Sequence, residues 1–314
     1  MTPRENAAPK NLVMGFATNQ SEASIRVFCR SLRSIYSENV CDVAIITNRY
    51  HTYFSELVDL GIRFDSTPNN YSKTTSRPTK AVNRAILHSF RLLIFLKRQK
   101  WLPEVADAYE LLLETWHHPQ LARWFAYRRL LSLNQVYSEV FLADVKDVVF
   151  QAPFFGLAAK NKVTLFADAN LYGSCYWNDS WYIEAYGKDA LAQVAGKSPI
   201  CVGTMLGCQE AMLDLLNQFT ATMARSPFGR IEQAIFNHML YTNSFRVPLE
   251  TEENIHGPVA TLGSKAAYEA VALTDGAIRR ARDNSIIPVV HMYDRWSDLA
   301  AYCTKTFAGI LVEK

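Results

Sequence analysis

Apolar positions fall into two spacings along this chain. The first is continuous. Asn11-Leu-Val-Met-Gly-Phe-Ala-Thr-Asn19 predicts a buried strand that runs into a polar loop, and Cys41-Asp-Val-Ala-Ile-Ile-Thr47 predicts a second. Between them apolar residues recur at helical spacing, with Ile25, Phe28, Cys29, Leu32 and Ile35 behind a cap at Ser21. A second helix is expected from Tyr53 to Leu60, ended by Gly61. Strand, helix, strand, helix is the start of a doubly wound α/β fold. Such folds take ligands on loops at the carboxyl ends of strands, here Ala17-Thr18-Asn19 and Thr47-Asn48.

Polar sequence from Asp65 to Thr79 predicts a loop, and helical spacing predicts a long helix from about Lys80 to Lys100, with Val82, Ile86, Phe90, Leu93 and Ile94 on its apolar side. Further helices are expected over Pro103 to Trp116 and Pro119 to Asn134. The pattern is less regular beyond Phe155. Val163 to Ala167 and Ile200 to Gly207 read as strands, the second with small residues where a ligand could approach the backbone. Gln209 to Met223 reads as a helix, Gly229 to Asn237 begins another, and Ile286 to His291 reads as a late strand. Tyr172 to Tyr186 is dense in aromatics, which serve either core packing or a sugar-binding cleft.

Charge interrupts the apolar pattern most sharply in Val140-Phe-Leu-Ala-Asp144-Val-Lys-Asp147-Val-Val-Phe-Gln151. Side chains alternate faces in a strand, so carboxylates three positions apart converge only if the strand ends and the chain turns near Asp144. Two carboxylates brought together raise each other's pKa unless a cation neutralises them. A divalent metal that holds a diphosphate is the chemistry this arrangement suits; two solvated carboxylates at a strand end is the plain alternative.

Composition narrows the class. With 314 residues, 49% hydrophobic and 20% charged, the chain has length for a sizeable core, and a net charge of +3 is unlike a dedicated nucleic-acid binder. Residues 1–10 are polar and read as a flexible tail without a secretion signal, and residues 11–314 read as a single domain. Leu92 to Leu96 is too short an apolar run to span a bilayer. Six cysteines without a C-x-x-C pair suggest neither a zinc site nor a disulfide framework and read as reduced residues of a cytoplasmic protein. The G-x-G-x-x-G turn of dinucleotide binders is absent, with Gly15 alone in its strand, which disfavours a nicotinamide enzyme.

The order of the pieces resembles nucleotide-sugar-dependent glycosyltransferases of the GT-A fold, near the group of glycogenin and the lipopolysaccharide galactosyltransferases. The resemblance runs from about Asn11 to Trp296, and it is similar in particular to a branch with the phrases D-V-x-D-V-V-F-Q-x-P-F, G-P-V-x-T-L-G and V-V-H-x-Y-D-R. Here they stand at Asp144 to Phe154, Gly257 to Gly263 and Val289 to Arg295.

The resemblance implies a Rossmann-like mixed sheet flanked by helices, with a nucleotide-binding half over about 11–155 and an acceptor and sugar half over about 156–314. It implies a Mn²⁺ or Mg²⁺ ion on Asp144, Asp147 and His291, although the group more often has D-x-D than D-x-x-D. Arg295 takes the place of a cation on the diphosphate. Arg129, in Tyr127-Arg128-Arg129-Leu130, takes that of an arginine that contacts the donor. Glu232-Gln233 matches a D-Q pair beside the donor sugar, with Glu for Asp, and Gly203 falls in the matching sugar-side loop.

The activity implied is transfer of a sugar from a UDP- or GDP-sugar to a glycan, lipid or protein hydroxyl. A sugar-phosphate nucleotidyltransferase and a silent nucleotide- or glycan-binding domain are the rivals. The first lacks its glycine-rich, basic N-terminal loop here.

Overall fold

The computed structural model describes residues 9–71, 77–96, 103–133, 135–157, 161–225 and 231–309. Most of the expected tail, the carboxyl end of the long helix and the start of the segment from Gly229 therefore lie outside the described residues.

The strands are β1 (Asn11–Phe16), β2 (Cys41–Thr47), β3 (Ile62–Ser66), β4 (Glu139–Asp144), β5 (Val148–Phe150), β6 (Val163–Ala167), β7 (Ile200–Cys208), β8 (Leu249–Glu252), β9 (Val259–Thr261), β10 (Val271–Thr274), β11 (Ala277–Arg280) and β12 (Val289–His291). The first seven helices are α1 (Glu22–Arg33), α2 (Phe54–Val58), α3 (Arg77–Leu96), α4 (Pro103–Trp116), α5 (Pro119–Leu131), α6 (Tyr176–Tyr186) and α7 (Lys188–Val194). The others are α8 (Gln209–Arg225), α9 (Glu232–Tyr241), α10 (Lys265–Glu269) and α11 (Ser297–Cys303).

Seven strands form one mixed sheet in the order β3-β2-β1-β4-β7-β6-β8. β3, β2, β1 and β4 run parallel, β7 is antiparallel to both β4 and β6, and β8 is parallel to β6. Both faces are covered, which is why the strands read as continuous apolar runs instead of alternating ones. Leu12, Met14, Val140 and Leu142 pack on one side with residues of α5, α8 and α9. Val13, Val43, Ile45, Phe141 and Ala143 pack on the other with α1 and α2. A three-stranded sheet, β5-β12-β9, lies on that second side, and its outer residues join α10 and α11 in a core of their own.

Local chemistry accounts for several boundaries. The Ser21 side chain accepts a hydrogen bond from Ser24 N and starts α1, whose Ile25, Phe28, Cys29 and Leu32 are buried. Gly61, at φ +70°, ends the turn after α2 in the left-handed region. α3 departs from its expected face: Val82 is exposed and Ile86 half-buried, while Leu87 is buried. Phe90, Leu93 and Ile94 lie outside the described side chains. The six cysteines are all free, four of them buried. No described helix is long and apolar enough to cross a membrane.

Candidate active site

β4 ends at Asp144, and a turn over Val145 to Asp147 leads directly into β5. That is the geometry the two carboxylates required. Gly15 on β1 makes the turn possible, since a Cβ there would stand 2.3 Å from Val145 Cγ2. The small sheet supplies the third member. β12 pairs antiparallel with β5 so that His291 lies opposite Val148, and Met292 N donates to Asp147 O at 2.8 Å.

Asp144, Asp147 and His291 each offer one ligand atom, all within 4.8 Å of one another. His291 Nε2 stands 3.5 Å from Asp147 Oδ1 and 3.8 Å from Asp144 Oδ2. Both Asp147 Oδ1 and His291 Nε2 are buried without a hydrogen-bond partner. An orphaned anionic oxygen facing an orphaned imidazole nitrogen is costly in a folded protein, and a divalent cation satisfies both. The donor set of two carboxylates and one imidazole suits a divalent cation. On the other side of the ring, Nδ1 faces Thr261 Oγ1 at 3.4 Å and Cys201 Sγ at 3.8 Å, which orients Nε2 toward the carboxylates. Burial opposes ionisation of Asp147, but a protonated His291 facing it, with Lys146 and Arg295, outweighs burial and holds its carboxyl below the ordinary value, and a metal on Nε2 would take the place of that proton.

The cluster sits on the wall of a cleft of about 740 Å³ at the carboxyl ends of β1 and β4. Thr18, Gly203, Glu232, Gln233 and Arg295 line it with Asp144 and Asp147, while His291 is fully buried beside the two carboxylates. Thr18 Oγ1 is a further buried atom without a partner, at the end of β1. Gly203 leaves the space in which His291 and Asp144 meet. Lys146, also on the wall, is held by Asp294 at 2.7 Å, whereas Arg295 is exposed beside it.

Four expected donor-binding positions are not among the cleft-lining residues. Ala17 is buried in the α1-side core, Asn19 is exposed in a left-handed turn, and Asn48 donates its side-chain NH₂ to Asn69 O. Arg129 corrects the expectation most clearly. It is held on Glu114 at 2.7 Å and on Ser66 O at 3.3 Å, away from the cleft.

The arginine that α5 brings to the site is Arg123, six residues earlier and therefore on another face of the helix. Its guanidinium pairs with Asp144 and, at 3.4 Å, with Glu232 Oε1. Burial works against the Arg123 charge, but the two carboxylates outweigh it and the guanidinium stays cationic. Burial also pushes the Glu232 carboxyl up to about 7 against the pull of Arg123. Sequence reasoning missed Arg123, yet a signal was present. It is the one charged residue in Leu121-Ala-Arg-Trp-Phe-Ala-Tyr127, a run that is buried throughout.

α9 brings Glu232 and Gln233 to the cleft because Asn237 docks it on β7: its side chain accepts from Ile200 N at 2.7 Å and donates to Ile200 O at 3.0 Å. Beyond Gln233 runs a hydrogen-bond relay that sequence reasoning also missed. Gln233 Nε2 donates to Asn178 Oδ1 at 2.7 Å, and Asn178 Nδ2 donates to Asp168 Oδ2 at 3.4 Å. Both amide nitrogens donate along the relay, and Gln233 Oε1 accepts from none of the described residues.

With this geometry in view, similarity to known structures is informative. The chain is similar to galactosyltransferase LgtC in complex with donor and acceptor sugar analogues, at 12% identity over 97% of each chain with TM-score 0.51. It is similar also to an active-site mutant of LgtC, at 12% identity over 96% of this chain and 97% of that one, with TM-score 0.50. At such identity the likeness is one of fold, and the fold of this chain is GT-A. No protein-family model and no curated protein matches the sequence.

Proposed function

We propose that this protein is a metal-dependent glycosyltransferase that moves a sugar, of the hexosyl class, from a UDP- or GDP-sugar to the hydroxyl of a glycan, lipid or protein acceptor. The observation that carries the reading is the pair of orphaned atoms, Asp147 Oδ1 and His291 Nε2, facing each other where Asp144 and Asp147 line a large cleft and His291 is buried beside them. The GT-A fold supports it, and fold alone would not.

Asp144, Asp147 and His291 would hold Mn²⁺ or Mg²⁺, which as a Lewis acid neutralises the charge of a leaving diphosphate. The chain's own residues do the rest. Arg295, exposed on the same wall, shares the diphosphate charge through hydrogen bonds. The free hydroxyl of Thr18 offers the nucleoside a polar contact at the end of β1. Gln233 presents its side-chain carbonyl oxygen to the donor sugar. Glu232 is committed to Arg123, so it acts by positioning that guanidinium on the cleft wall. No basic glycine-rich loop follows β1, which counts against the nucleotidyltransferase reading.

Thermal shift with UDP, GDP and NAD, each with and without Mn²⁺, tests the binding half of this proposal. A ligand at a hundred times its Kd adds about 2.7 kcal/mol to the folded state. UDP or GDP should raise Tm only when Mn²⁺ is present, and NAD should not raise it. Stabilisation by NAD alone, or equal nucleotide stabilisation without the metal, would overturn the reading.

A further inference from the structure

The aromatic segment divides into two sets. Tyr172 and Tyr182 are 2% and 1% exposed and pack in a small core with Val194 and Ile231. Tyr176 and Trp177, on the same helix as Tyr182, are 76% and 61% exposed. Trp177, Trp181 and Glu184 are spaced one turn apart on α6, so they share a face, and all three line the cleft. The Trp177 and Trp181 ring centroids are 6.3 Å apart at 40°, and Tyr176 stands edge-on to Trp177 at 5.3 Å. Rings left open at a cleft forgo the burial that stabilises Tyr172 and Tyr182, and they mark a binding surface.

Polar groups around these rings are acceptors and carboxamides. Glu184 shares the α6 face with the two indoles, and Asp168, Asn170 and Asn178 line the same cleft. The described cations of the cleft, Arg123, Lys146 and Arg295, belong to the metal-ligand part, through Asp144, the turn at Asp147 and the segment after β12. An open aromatic face with a carboxylate on the same helix face suits a neutral pyranose, whose C–H face lies on an indole while a hydroxyl donates to the carboxylate. A phosphate or uronate would meet like charge there.

We infer that the Trp177–Trp181 face is the subsite for a neutral hexopyranose, and that the acceptor is an uncharged saccharide end. The inference rests on the transferase reading for its word acceptor and on the cleft wall for its chemistry.

Saturation-transfer NMR on the protein with UDP and Mg²⁺, which avoids paramagnetic broadening, provides the test. The probes are the methyl glycosides of galactose, glucose, mannose and N-acetylglucosamine, with methyl glucuronoside and glucose 6-phosphate as charged counterparts. At least one neutral glycoside should give signals, strongest on one ring face, and the charged probes should give none. Trp177→Ala should weaken binding about tenfold, Trp177→Phe much less, because the second keeps an aromatic face. Trp177 is mostly exposed, so the fold survives either change, which Tm checks. No neutral glycoside signal, parent-like signals in Trp177→Ala, or preference for a charged probe would each overturn the inference. Should UDP with Mg²⁺ or Mn²⁺ fail to stabilise the parent while Trp177-dependent glycoside binding persists, the transferase reading falls and the saccharide subsite stands.

Discussion

Arg123→Met is expected to destabilise the protein by about 3–5 kcal/mol, because it leaves Glu232 buried without its cation and deprives Asp144 of its ion-pair partner. Methionine nearly fills the volume, so the loss reports charge and not a cavity. The loss should widen as pH rises above about 7. With Arg123 present, Glu232 titrates near 7; without it the carboxyl holds its proton to higher pH, and staying protonated costs stability relative to the parent at pH 8. Urea unfolding of parent and variant at pH 6 and pH 8 measures both effects. The double variant Arg123→Met with Glu232→Gln should recover part of the stability and lose the part of the pH dependence that Glu232 carries, while Asp144, also without its cation, keeps the rest. Equal stability of parent and single variant would show that the buried ion pairs do not hold this wall together.

Gly203→Ala is expected to weaken metal binding by about a hundredfold, the upper end of what disturbed support of a metal ligand produces. A Cβ at this position would stand 2.4 Å from His291 Cε1, 2.7 Å from His291 Nε2 and 2.8 Å from Asp144 Oδ2. His291 is fully buried and Asp144 is held by Arg123, so neither has an easy retreat. Titration of Mn²⁺ followed by the electron-spin signal of the free ion reads the affinity without any turnover. Stability should fall by only about 1–3 kcal/mol, the usual cost of overpacking. Parent-like Mn²⁺ affinity would mean that the metal, if bound, does not sit among these three residues.

Sequence pattern revealed the parts of this fold where burial leaves a long signature. β2 spans Cys41–Thr47, α4 Pro103–Trp116 and β6 Val163–Ala167, as their apolar runs and helical spacing predict. The short strands behaved differently. β5, β8, β9, β10 and β11 have only three or four residues each, too few to show a period. β9 also finds its partner β12 far along the chain, so nothing local announces it. The juxtaposition of Asp144 and Asp147 was legible because charge in an apolar run demands a turn, and the resemblance supplied His291.

Arg123 obeyed the same rule of charge in an apolar run, on a helix. The pattern Tyr127-Arg128-Arg129-Leu130 drew attention to the wrong face of α5, and only the packing of Leu121 to Tyr127 against the sheet shows which arginine must be paired inside. The relay from Gln233 through Asn178 to Asp168 joins residues 55 and 10 positions apart. Tertiary structure alone makes it visible.

Nucleoside diphosphate release from a panel of UDP- and GDP-sugars in the presence of Mn²⁺ tests most directly whether this cleft performs sugar transfer. Asp147→Asn serves as the blank, since the substitution is nearly isosteric, removes the charge facing His291 and leaves any contaminating hydrolase untouched. The parent should release nucleotide slowly from at least one donor when water is the only acceptor, because water lacks a positioned approach to the sugar. A saccharide acceptor should raise that rate severalfold and yield a glycoside of the expected mass, while Asp147→Asn stays at background. Equal release by parent and Asp147→Asn across the whole panel, with no glycoside formed by either, would contradict the account.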